Sequence, residues 1–375
     1  MIRKTVAMIS LVIMMMSVSS FAEVSQYEIK DRFTPTGLYM LYGNNMVSET
    51  WPDRDGRTDQ GWYVTWFQDR KILREVAYNP DGKYRYYAVP HKDGTCSILR
   101  MELPDAANMA DEKRYSNLIL YDWDENGLSN PRQIANNIKE IRVAFGGFAT
   151  WNPNAREIGI FDSSGSKLFI LQNAESMPIR LAFDQLGNIW VMTAVYGERY
   201  KDSRYYLRQI RNGTLLWEKK LDWAVSIFPD QQGGLYTTES LGTGSYKDVG
   251  ITHLNADGKE DMRKTLTANK VVIGCTIRPD PQNGQIIVTG RAVANSRKIY
   301  RVYRMTLDTD WNIKSIDVRK LNYHNDYNLS VRMSLDGICF VHANGIDEQE
   351  RGDIHPVLIP FDELEAAENP GIALR

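Results

Sequence analysis

Apolar and polar residues alternate along this chain in short runs, and the runs are separated by turns that pair Asp or Asn with Gly. That period of two is the mark of antiparallel strands, half of whose side chains face a core. A helical period is nearly absent. Only Phe361 to Glu368 reads as a helix, with Asp362 placed to cap it.

One plan recurs: a short apolar strand, a polar turn, then a stronger apolar strand. It is clearest from Ile179 to Met192, and it returns at Ser226–Thr237, Thr276–Val288 and Val331–Phe340. These copies lie about fifty residues apart, close to the length of a propeller blade. Weaker copies lie upstream. Trp151-Asn152-Pro153-Asn154 precedes Glu157–Phe161, Tyr78–Gly82 precedes Tyr84–Tyr87, and Asp53–Gly56 precedes Gly61–Trp66. Asp, Asn and Gly tolerate the backbone angles that tight hairpins demand. Second hairpins fill the gaps, as at Tyr205–Trp217 around Asn212-Gly213.

Two hairpins per copy make a four-stranded antiparallel unit. The reading is therefore all-β, a single β-propeller of seven four-stranded blades. Six or eight blades are the alternatives, because spacing in the first half is irregular, and a pair of β-sandwiches is the alternative architecture. The strand around Gly37–Tyr42 is expected to complete the last blade and so remove a free sheet edge. In its turn-then-strand signature the chain resembles the broad NHL/YVTN-type propeller repeats, over most of residues 23–375. It carries the diagnostic residues of no single enzyme family: there is no sialidase Asp box, WD series or His-rich metal set.

The N-terminus changes the count of residues available to the fold. Met1-Ile2-Arg3-Lys4 is a basic start, Val6–Met16 is apolar with only Ser10 inside it, and Ser20-Phe21-Ala22 offers small residues to a signal peptidase. Residues 1–22 are thus expected to be a removable signal peptide, leaving residues 23–375 as the propeller domain, exported to the periplasm or secreted. The apolar run falls short of the roughly 20 residues of a permanent span. An uncleaved anchor is the alternative. Expected partners are a glycan or an envelope or extracellular protein, with no membrane span after cleavage and a monomeric chain.

The net charge of −2 has its signs interspersed, and no basic stripe exists to neutralise phosphates, so nucleic acid is not an expected partner. The 9 Trp and 20 Tyr suit strands and also carbohydrate platforms. Cys96, Cys275 and Cys339 sit in strand-like apolar runs and read as buried thiols.

Propellers place ligands at the mouth built by the loops joining strands 2–3 and strand 4 to the next blade. The Asp-x-x-Gly hairpins join strands 1–2 on the opposite face, which makes Asp184, Asp230, Asp280 and Asp336 turn formers. On the ligand side fall the loops 196–204, 239–246 and 291–297, the segment opened by His342 and the connection 323–328. His324, Tyr327, His342 and Arg291 are the catalytic candidates, a Tyr or His base beside an Arg being the minimum for β-elimination from a uronate. Solvated loop residues without chemistry are the competing reading. Arg199 and Glu239 are ligand-binding candidates on the same side. Arg180 and Arg332 each stand four residues before a turn Asp on an inner strand. There an Arg either bonds carbonyls between blades or offers its fork to an anion in the channel. Asp122–Gly127 and Asp308–Asn312 mimic the start of a calcium loop. Gln133 stands where a bidentate Glu is needed, so both read as strand 3–4 turns; no cofactor is expected, and calcium is the alternative.

The function expected is a non-catalytic exported propeller binding a glycan or a protein at its loop-rich mouth. A polysaccharide lyase or glycoside hydrolase with its site at that mouth is the alternative.

Overall fold

The computed structural model describes residues 27–28, 35–42, 45–50, 63–68, 71–77, 84–102, 116–198, 202–242, 248–269, 271–280, 283–294, 300–321, 330–334, 336–346 and 354–375. They form seven antiparallel sheets, the seven blades of a β-propeller. The innermost strands, in blade order, are Pro35–Met40, Tyr84–Pro90, Glu140–Ala144, Pro178–Phe183, Ser226–Pro229, Val271–Asp280 and Ser330–Met333. Within blades 1 to 6 each later strand pairs with its predecessor, so every blade grows outward from the channel.

The four clear sequence copies are the strand 1–2 hairpins of blades 4 to 7. Asp184 closes its turn by accepting the backbone N–H groups of Leu186 and Asn188 at 2.8 Å, and Asp230 does the same for Gln232 and Gly234. Gly187 and Gly233 then take left-handed backbone (φ +81 and +102), which a side chain resists. In blade 7 the closing acceptor is Ser334, whose hydroxyl receives Ile338 N–H at 2.9 Å. Asp336 instead accepts a bond from that hydroxyl.

Of the weaker copies, one belongs to another junction: Asn152 ends strand 2 of blade 3. The turns 53–56 and 78–82 lie outside the described residues. Any tight reversal favours Asp, Asn and Gly, so turn chemistry alone does not say which junction it serves.

Ring closure also differs from expectation. Pro35–Met40 pairs with its successor Met46–Thr50 and is the innermost strand of blade 1. The strand borrowed by the last blade is Tyr27–Glu28, which pairs with Ile354–Pro360. The expected C-terminal helix is a single 3-10 turn, Phe361–Glu363, followed by a strap. Glu365–Ala366 adds to the outer edge of blade 6 and Ala373–Leu374 to that of blade 5. Asp362 caps nothing; it pairs with Arg304 at 2.8 Å.

The cores lie between blades. Ile158 and Ile160 of blade 3 meet Ile189, Val191 and Ile210 of blade 4, and Trp190 of blade 4 meets Ile227 and Leu235 of blade 5. Cys96 and Cys339 are buried and Cys275 half-buried, all as free thiols.

Candidate functional site

The inner strands share a register. Each strand 1–2 turn is opened by one residue: Leu41, His91, Ala144, Asp184, Asp230, Asp280 and Ser334 in blades 1 to 7. Three residues before it stand Leu38, Ala88, Ile141, Leu181, Ile227, Ile277 and Val331, apolar in all seven blades. Ala88, Ile141, Ile227, Ile277 and Val331 are buried, and Leu181 is half-buried.

Side chains at even offsets project from the opposite side of the same strands. Arg142, Arg278 and Arg332 stand two residues before the turn, Arg180 four and Arg85 six. Five of the seven inner strands thus carry an arginine, and all five arginines share one side. Arg180 and Arg332 are therefore not at equivalent levels. Blade 7 turns on Ser334, which puts Arg332 two residues nearer the hairpin end, about 7 Å along the axis.

The five differ in their partners. Arg142 donates to the Pro178 carbonyl of the next blade at 3.1 Å, and Arg278 to the carbonyls of Met333 and Ser334 in blade 7. These two stitch blades together. Burial lowers the Arg278 pKa, opposed by Asp336 and Asp280. Arg85 lies beside the Tyr87 hydroxyl. Arg180 is exposed and makes one bond, at 2.9 Å, to the carbonyl of its own neighbour Ile179. Arg332 is exposed too, and among the described residues its guanidinium makes no hydrogen bond or ion pair with a carboxylate. Surrounding protein nonetheless lowers its pKa, offset in part by the Tyr39 hydroxyl of blade 1 at the same level. A charge that reaches solvent and is still desolvated is what a channel wall produces.

The hairpin end of the channel is laced across by neighbouring turns. Tyr42 of blade 1 donates to the Lys92 carbonyl at 3.0 Å, Gly146 N–H bonds Pro90 O at 2.9 Å, and Lys92 Nζ donates to the Asp184 carbonyl of blade 4. Gln185 N–H then reaches Gln231 of blade 5 at 3.2 Å.

The opposite, loop-rich face carries two exposed aromatics, Tyr196 (59%) after strand 2 of blade 4 and Trp223 (46%) in the connection to blade 5. The indole N–H of Trp223 donates to Glu239, whose other oxygen accepts Arg263 at 3.1 Å. Glu239 lies across Gly250 to reach Arg263; a Cβ at Gly250 would sit 3.0 Å from its Cγ. This carboxylate holds a tryptophan in place.

The other candidates fall as follows. His324, Tyr327 and Arg199 lie outside the described residues. Arg291 is not in a loop but in strand 2 of blade 6, half-buried, and His342 is in strand 2 of blade 7. The two calcium-like segments join strands 3 and 4, and Asp308 is already occupied by the N–H groups of Asp310 and Asn312. A polar cluster not foreseen joins His253 to Asp230 (3.0 Å) and Asp261 (2.6 Å) under Tyr236. It ties the blade 5 turn to strands 3 and 4, and no local motif announces it.

No protein-family model matches the chain, and no curated protein sequence does. Among solved structures it is similar to a Dos1 propeller (9% identity, 87% of this chain and 78% of that one, TM-score 0.46). It is also similar to the GH93 α-L-arabinofuranosidase of Fusarium graminearum (10%, 91% and 98%, 0.44). A third is a DUF4221 family member from Bacteroides vulgatus (8%, 93% and 96%, 0.40). Such likenesses concern the fold alone.

Proposed function

We propose that the chain is an exported, non-catalytic propeller that binds a glycan at its loop-rich mouth. The observation that carries this reading is the exposure of Tyr196 and Trp223 on that face, with Trp223 held by Glu239. Large rings left in water present a flat apolar surface, and sugar C–H groups stack on such a surface at little entropic cost. The same geometry favours binding over catalysis. Both oxygens of Glu239 are engaged, one by Trp223 and one by Arg263, so it is not free to shuttle a proton.

The test uses the chain from Glu23 onward against an array of neutral and acidic polysaccharides, with a parallel assay for new reducing ends and unsaturated uronates. Binding without product, weakened roughly tenfold or more by Trp223→Ala with Tyr196→Ala, is expected. Product formation, or binding indifferent to both substitutions, sinks the proposal.

A further inference from the structure

We infer that the central channel is a binding site for a polyanion, a ligand bearing two or more carboxylate, sulfate or phosphate groups, held by Arg180 and Arg332. This goes beyond the loop-face reading and does not depend on it. The chain as a whole is net negative at −2. Its seven innermost strands run the other way: they hold five arginines and no lysine, against only Glu140 and Asp280.

Placement by side strengthens the point. All five arginines avoid the apolar offset, where a guanidinium would be buried away from water, and so share one side of their strands. In blades 2 to 7 the apolar side of the inner strand fills the inter-blade core, and the arginine side is the one from which Arg180 and Arg332 reach solvent. Neither has a carboxylate partner among the described residues. Two guanidinium groups that reach the solvent of one channel, Arg332 desolvated by the protein around it, leave positive charge that an anionic ligand can complement.

The guanidinium fork fits the paired oxygens of carboxylate, sulfate or phosphate. A channel with protein on all sides also strengthens the attraction relative to open water. Arg180 and Arg332 sit about 7 Å apart in level, on blades 4 and 7, so one small monovalent anion does not engage both. Two or more oxyanion groups on one molecule can. Levels carrying arginine crowd toward the hairpin end, where Lys92 crosses from blade 2 to blade 4. The ligand therefore enters from the loop-rich mouth with its anionic end leading.

The experiment measures melting temperature and calorimetric binding of the chain from Glu23 onward at constant ionic strength, with chloride, sulfate, pyrophosphate and trigalacturonate as probes. Pyrophosphate and trigalacturonate should stabilise more than sulfate, and chloride least. Arg180→Gln with Arg332→Gln should abolish the difference, weakening binding roughly a hundredfold or more for the loss of two charged contacts. Trigalacturonate binding more tightly than pyrophosphate would identify the source as an acidic glycan; the reverse order, a small free polyanion. If no multivalent probe stabilises more than chloride, or the folded double variant responds like the parent, the inference is overturned. Loss of glycan binding in the Trp223 and Tyr196 variants with the anion response intact would strike neither this site nor its arginines.

Discussion

At the scale of single residues, the least expected feature is a buried acid. Glu49, in strand 2 of blade 1, is 5% exposed and accepts the Ala88 N–H of blade 2 at 2.7 Å. Burial pushes its pKa up to about 8, against which the single backbone N–H counts for less. The folded chain therefore keeps a proton that the unfolded chain releases above the ordinary carboxylate value of 4.5. The sign follows from linkage: this group's contribution is most favourable at low pH, falls as pH rises from about 5, and levels off above about 8. Glu49→Gln keeps an acceptor for Ala88 and removes the titration. Its stability should match the parent near pH 5 and exceed it near pH 8, by a few kcal/mol at most. Scanning calorimetry across that range checks this, and parallel curves for the two proteins would refute it.

At the scale of elements, the C-terminal strap has a clear physical role. It lays Glu365–Ala366 on blade 6 and Ala373–Leu374 on blade 5, with Thr265 and Arg375 exchanging backbone bonds at 2.8 and 2.9 Å. Ile372 is buried beneath it, and the Phe361 ring at its root is approached by the guanidinium groups of Arg304 and Arg319. Ending the chain after Leu364 uncovers two sheet edges and one isoleucine. We expect a loss of roughly 2–4 kcal/mol, faster amide exchange in residues 260–267 and 313–321, and a tendency to associate through those edges. Unchanged exchange in both strands would show that the strap adds nothing. The strap also shows where the sequence stops being legible. Strand periodicity and Asp-Gly turns are local, so the blades of the second half can be read directly from residues 179 to 340. Pairings set by tertiary closure leave no local trace. Hence Tyr27–Glu28 was not foreseen as the closing strand, and a segment starting Phe361-Asp362-Glu363 read as helix. The site follows the same division. Arg180 was legible because a strong turn lay just beyond it, whereas Arg85, Arg142 and Arg278 became visible only once the turns were aligned in space.

At the scale of the whole molecule, the ring makes residues far apart in sequence act on one channel, and it separates arginines that hold blades from arginines that do not. Arg142 and Arg278 each donate to carbonyls of the following blade, so removing either leaves buried acceptors unpaired and loosens a seam. Arg180 spends one bond on its own strand, and Arg332 faces the Tyr39 hydroxyl across the blade 7–1 seam. For these two the balance reverses: a neutral side chain gives up little at either position, and at 332 it also escapes the desolvation. In the absence of multivalent anions, Arg142→Gln and Arg278→Gln should each lower the melting temperature, by about 1–3 kcal/mol of stability. Arg180→Gln and Arg332→Gln should leave it unchanged or raise it. Added pyrophosphate should then invert the order, stabilising the parent and the two seam variants while passing by the channel variants. A uniform loss across all four substitutions would mean that the ring uses every inner arginine as mortar, and that its positive channel is a by-product of packing.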